Sequence, residues 1–168
     1  MERKSFYKKQ THQRLAAAIL LWLGCCVLAF SQNTVTLTGG EGKPGGEISV
    51  SLGLKNADAL SAMQVDIPLD ESLTFVEGSE RIDRERLGDH EIKVSRNENG
   101  IRVLLYSLSL KTMQAGEGRL LTFDLKLKRA PGTYTLSPKV TLTGSKGEVL
   151  PCENVAADVV IRAARMEV

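Results

Sequence analysis

The chain has 168 residues, a formal net charge of +2 and 25% charged residues, which is enough for one domain with a proper hydrophobic core and no covalent staples. Its two histidines and three cysteines argue against the common catalytic and zinc constellations. A nucleophile needs a base, and a zinc ion needs three or four N, S or O ligands.

The N-terminal segment reads as an export signal. Arg3, Lys4, Lys8, Lys9 and Arg14 form a basic region, followed by an uncharged, mostly apolar run from Leu15 to Phe30. That run is shorter than the ~20 residues of a spanning helix. Ala29-Phe30-Ser31 before Gln32 offers the small residues that a signal peptidase reads, so cleavage is expected between Ser31 and Gln32. A retained anchor is one alternative. Lipidation at Cys25 or Cys26, behind Gly24, is another, and it would tether the chain to a membrane. The expected division is 1–31 signal peptide, 32–163 folded domain and 164–168 C-terminal tail, in a secreted or cell-envelope protein.

Removing residues 1–31 changes the chemistry left to explain. The segment holds five basic residues and one acid, so of the chain's 22 basic and 20 acidic residues 17 and 19 remain. A nucleic-acid partner needs a basic patch, and the longest basic run, Lys126 to Arg129 broken by Leu127, reads as a solvated strand face. Only His90 and Cys152 remain of their kinds. No catalytic residue, metal or cofactor is therefore expected.

From Gln32 onward the pattern is strand after strand. Thr34 to Thr38 comes first. Gly39-Gly40-Glu41-Gly42-Lys43 resembles a phosphate loop, but no helix pattern follows, so the stretch to Gly46 reads as a turn. Ile48, Val50, Leu52 and Leu54 then alternate with polar residues. Met63, Val65, Ile67 and Leu69 do the same, and Leu121, Phe123, Leu125 and Leu127 repeat it. Pro68 suggests that its strand lies at an edge or is bulged near its end. Shorter strands are expected at 73–76, 90–96, 101–108, 133–136, 139–143 and 157–162. Turns are expected at Asn97 to Gly100, Ala115 to Gly118, Pro131-Gly132 and Gly144 to Gly147. Many short strands between turn signals predict an all-β, two-sheet antiparallel sandwich.

The strand 101–108 breaks the alternation. Ile101, Val103 and Leu105 lie on one side and Leu104, Tyr106 and Leu108 on the other. Either a loop covers both faces, or one face is an apolar contact surface. After the signal segment the aromatics are Phe75, Tyr106, Phe123 and Tyr134, without tryptophan, a poor supply for stacking on sugar rings.

Several blocks resemble a cohesin-type module: Gly46 to Leu52, Lys55-Asn56-Ala57, Met63 to Asp70, Leu73 to Ser79, Gly116 to Lys128, and Ala130-Pro131-Gly132-Thr133-Tyr134. The form is closest to cohesin-like modules of secreted Bacteroidetes proteins and covers about Gln32 to Ile161. The resemblance implies a jelly-roll sandwich of about nine strands, non-catalytic, that binds a dockerin on the outer face of one sheet in a polysaccharide-degrading or cell-surface system. It departs from the family at Gln64, where many cohesins carry an interface aspartate, and at Ala62, where they carry an asparagine. The candidate binding face is Gln64, Asp66, Leu105 and Ser107. The partner implied is a dockerin-like or envelope protein. A carbohydrate-binding module of the same fold, with a polysaccharide ligand, and a structural envelope subunit are the alternatives.

Overall fold

The computed structural model describes residues 33–128 and 131–163. The signal segment with Cys25 and Cys26, the cleavage point at Ser31 and Gln32, and the tail 164–168 lie outside the described residues.

In chain order the described residues form β1 (Thr34–Thr38), β2 (Gly40–Gly42), β3 (Glu47–Asn56), β4 (Leu60–Pro68), β5 (Leu73–Phe75), β6 (Arg81–Ile82), the short helix α1 (Arg84–Leu87), β7 (Glu91–Asn97) and β8 (Gly100–Tyr106). They continue with β9 (Gly116–Leu127), β10 (Gly132–Leu136), β11 (Lys139–Gly144), β12 (Val149–Leu150), β13 (Glu153–Val155) and β14 (Ala157–Ile161). Successive side chains on a strand point to opposite faces. The apolar sets Ile48/Val50/Leu52/Leu54 and Met63/Val65/Ile67 are accordingly buried while their neighbours face outward.

Two large sheets supply the walls of the sandwich. One is six-stranded, in the order β13-β1-β3-β9-β5 with β6 also on β9. The other is five-stranded, β12-β11-β4-β8-β7. A third sheet, β10-β14-β2, contributes Leu136, Ala157, Val159 and Ile161 to the same core. Phe75 and Phe123 meet edge to face inside it, with ring centroids 6.0 Å apart.

The structure differs from the sequence reading in several places. Fourteen strands are present among the described residues rather than about nine, because segments of two or three residues (β2, β5, β6, β12 and β13) pair at the margins. Two pairings, β1 with β13 and β14 with β2, are parallel, so the sheets are not purely antiparallel. The stretch at Gly39 to Gly46 contains β2. The turn expected at Ala115 to Gly118 is instead the start of β9, because β3 is long enough to pair Asn56 with Gly116.

Pro68 does not mark an edge strand. β4 lies between β11 and β8. Pro68 is its last residue, beyond the point where β11 begins opposite Asp66, so no ladder bond needs its missing N–H. The β7–β8 hairpin turns as expected, but its glycine has another role. Gly100 (φ 154°) pairs with Pro68, and a Cβ there would fall 2.2 Å from the Ile67 carbonyl oxygen. Close backbone approach, as much as turn geometry, requires glycine at that position.

Candidate binding face

Directly opposed residues on neighbouring antiparallel strands share a face, so the register defines the outer surface of the five-stranded sheet row by row. Lys139, Asp66, Arg102 and Ser95 form one row, and Thr141, Gln64, Leu104 and Lys93 the next. Val149, Thr143, Ala62, Tyr106 and Glu91 form the third.

Asp66 organises the polar end. Arg102 Nε donates to its Oδ1 at 2.7 Å and Nη2 to its Oδ2 at 3.1 Å, a bidentate clamp. Gln64 Nε2 donates to Oδ2 at 2.8 Å and Asn97 Nδ2 to Oδ1 at 3.2 Å. The hydrogen bond from Arg102 holds the Asp66 carboxyl below the usual carboxylate range. The Gln64 bond adds to that effect, and partial burial opposes it. Gln64 and Asp66 therefore stand on the outer surface, as their alternation predicts, but tied into a network.

The other two candidates do not join them. Leu105 is only 1% exposed and lies opposite Met63, on the core side of β8. Gln64 is opposite Leu104 and Asp66 opposite Arg102, so the outward set of β8 is Arg102, Leu104 and Tyr106. A one-residue offset exchanges every side chain between faces, and Arg102, the polar residue of this run, was the sign of which side meets water.

Ser107 is also buried. Its Oγ lies 3.1 Å from Ser109 Oγ and accepts the Lys111 backbone N–H at 3.2 Å. It builds the loop after β8 rather than presenting itself. What that loop presents is Leu108, 77% exposed, and Leu110, 91% exposed. Leu110 also adopts φ 55°, the left-handed region and the one such non-glycine among the described residues. Sequence patterning named Leu104, Tyr106 and Leu108 as one of two apolar sides but placed the candidate on the other, and it missed Leu110, because apolar residues ordinarily signal burial.

The outer face thus has a polar end at the Asp66 network and an apolar strip of half-buried Leu104 and Tyr106 running along β8 toward Leu108. Val149, 73% exposed, lies in the Tyr106 row. Tyr106 Oη donates to Glu91 Oε2 at 3.3 Å.

Comparison with solved structures bears on the architecture. A non-cellulosomal cohesin from Archaeoglobus fulgidus superposes with a TM-score of 0.65 at 14% identity, over 79% of this chain and 92% of that one. A type I cohesin, the seventh of ScaB from Pseudobacteroides cellulosolvens, gives 0.64 at 18% identity, over 80% and 96%. This chain has the cohesin fold. The sixth cohesin of scaffoldin B from Acetivibrio cellulolyticus, solved in complex with a Cel5 dockerin variant, gives 0.64 at 13% identity, over 77% and 99%. No family model matches the chain, and no curated protein matches it significantly.

Elsewhere in this cohesin-like sandwich, Cys152 is half-buried, and burial pushes its thiol up. Among the described residues no cluster of His, Cys, Asp and Glu could hold a metal ion. No helix among them is long and apolar enough to cross a membrane.

Proposed function

We propose that this chain is a non-catalytic, exported protein-binding module. Its partner, of the dockerin kind, docks on the outer face of the five-stranded sheet, within a cell-surface or polysaccharide-degrading assembly. The observation that carries the reading is the apolar strip. Leu104 and Tyr106, with Ala62 and exposed Val149 in the Tyr106 row, form an apolar stretch beside the Asp66 network, and β8 continues into two leucines held out in solvent. Leu110 is held there in a backbone conformation that costs a leucine roughly 1–2 kcal/mol. Specific interfaces combine an apolar centre with a polar rim, and the Asp66 network supplies that rim.

Gln64 and Asp66 stay in the proposed site. Leu104, Tyr106, Leu108 and Leu110 replace Leu105 and Ser107. Kinship of fold with cohesins that were crystallised with dockerins supports the class of partner. A carbohydrate reading has less support: Tyr106 and Tyr134 sit on different sheets, and Phe75 and Phe123 are buried.

Titration calorimetry of the purified domain against a panel of dockerin modules tests the proposal. The expected result is saturable binding to at least one module, lost in Leu104→Asp and kept in Thr38→Lys on the opposite sheet. Binding that survives Leu104→Asp would move the site elsewhere, and silence across the panel would remove the dockerin class. Export is tested separately by intact mass, with Gln32 as the expected first residue. A mass showing diacylated Cys25 or Cys26 would make the protein a lipoprotein instead.

A further inference from the structure

The five-stranded sheet ends on an open strand. Among the described residues β7 pairs with β8 alone, and it is longer than any other strand at a sheet margin. The Leu69 N–H donates to the Asn99 carbonyl at 2.9 Å, one step outside the Pro68–Gly100 pair. That bond fixes the alternation along β8. Gly100, Arg102, Leu104 and Tyr106 turn their backbone groups to β7, and their partners Asn97, Ser95, Lys93 and Glu91 turn theirs to β8. The N–H and C=O groups of Ile92, Val94 and Arg96 therefore point away from the sheet, the template that an edge strand offers to another chain. Ile92 and Val94 are half-buried on the core side of this strand, and Glu91 and Lys93 are exposed on its outer side.

We infer that this edge takes a second copy of the chain, by antiparallel pairing of β7 with β7 and with Ile92 on the twofold axis. Charge selects both the occupant and the register. When Ile92 stands opposite Ile92 of the second copy, Glu91 of each chain stands opposite Lys93 of the other, so opposite charges close the pairing on both sides of the axis. Sliding the copies by two residues in one direction sets Lys93 against Lys93 of the second copy. Sliding them by two in the other direction sets Glu91 against Glu91, and like charges directly opposed are destabilising. A slide of one residue sets core-side residues against outer-side ones. The charges that blunt this edge against foreign strands thus admit its own kind in a single register. β10, the next longest margin strand, reads Gly132-Thr133-Tyr134-Thr135-Leu136 and has no charge to set a register. On the core side, Ile92 meets Ile92 of the second copy and extends the apolar layer across the seam. The inference goes beyond the protein-binding reading and does not depend on it. The joined sheet would present both β8 strips on one face, about 14 Å apart at three strand spacings.

Sedimentation equilibrium of the mature protein tests this. The expected result is a reversible dimer in the micromolar range, as suits an edge contact smaller than a standard interface. Lys93→Glu and Glu91→Lys each set like charges opposite one another on both sides of the axis. Each should weaken the dimer about tenfold or more, with an unchanged circular dichroism spectrum, since both side chains are exposed. Mixed in equal amounts, the two variants should form a heterodimer, because every carboxylate at the seam then faces an ammonium group. A chain carrying both changes should dimerise like the parent. A parent that stays monomeric through the millimolar range, a dimer indifferent to the single changes, or variants that do not recover on mixing would each overturn the inference. The Leu104→Asp titration against dockerin modules is independent of these results, because it reads the outer face and not the edge.

Discussion

The outer faces of the two large sheets begin from one rule and end as different surfaces. On the six-stranded sheet the outward residues include Thr34, Thr36 and Thr38 of β1, Ser49 and Ser51 of β3, and Thr122 and Asp124 of β9, with a single exposed apolar residue, Val155 of β13, beside Thr36. Arg81 reaches over from β6 and clamps Asp124 at 3.0 and 2.7 Å, and Ser49 Oγ donates to the same carboxylate at 2.7 Å. The five-stranded sheet has a matching clamp, Arg102 on Asp66. Ionic clamps therefore do not distinguish the two faces. The difference is Leu104 and Tyr106 beside Leu108 and Leu110, where the opposite sheet places hydroxyls. A strictly alternating strand makes a solvated wall, and a strand apolar on its second face makes a surface that gains by being covered.

Exchanging one residue for its neighbour on β8 gives the sharpest break of this comparison. Leu105→Asp puts a carboxylate into the core opposite Met63 and is expected to cost at least ~3 kcal/mol, enough to abolish a cooperative thermal transition followed by circular dichroism. Leu104→Asp, one position away, should change stability by no more than ~1 kcal/mol while weakening partner binding roughly thirtyfold or more. If both variants unfold, the strip is covered from within and is no contact surface.

Leu110→Gly separates strain from packing. Glycine adopts φ 55° freely, so denaturant unfolding should report a gain of about 0.5–1 kcal/mol, together with weaker partner capture. A loss of stability would mean that Leu110 packs against the domain rather than waiting for a partner.

The acid behaviour of the two clamps should match even though their faces differ. The Asp66 carboxyl is lowered by Arg102 and the Asp124 carboxyl by Arg81. A depressed folded-state pKa contributes stability that is fully present above the unfolded value of about 3.9. The contribution is lost as pH falls from there through the folded value. Asp66→Asn should remove its share of that loss and lower the melting temperature at pH 7 by only a few degrees, since the pair is partly open to solvent. Asp124→Asn should do the same without touching binding, and a melting series between pH 2 and pH 7 reads both. The smallest effect belongs to Thr38→Lys on the solvated wall, for which melting and calorimetry should both return the parent values.

Much of the fold was legible because burial imposes a period of two. Val35 and Leu37, Ile48 to Leu54, Met63 to Ile67 and Phe123 to Leu127 announce both a strand and the side that faces the core. The cohesin resemblance rested on these same blocks. The candidate site was half legible. Gln64 and Asp66 stand out as polar residues on a clean alternation. On β8 both faces are apolar but for Arg102, so periodicity has a single residue of contrast to read, and Leu105 was assigned to the wrong side. Pairing across strands, Gln64 with Leu104 and Asp66 with Arg102, decides the matter. The marginal strands escaped for a related reason. β2, β6, β12 and β13 are two or three residues long, too short to carry a period, and they exist because a neighbouring edge offers them hydrogen bonds. The amino-acid sequence by itself determined which residues are apolar and how they alternate, and thereby a β-sandwich with a known core. Which apolar side chains are left outside, and which charges flank them, was decided by the tertiary structure, because exposure depends on what a strand pairs with and not on the strand alone.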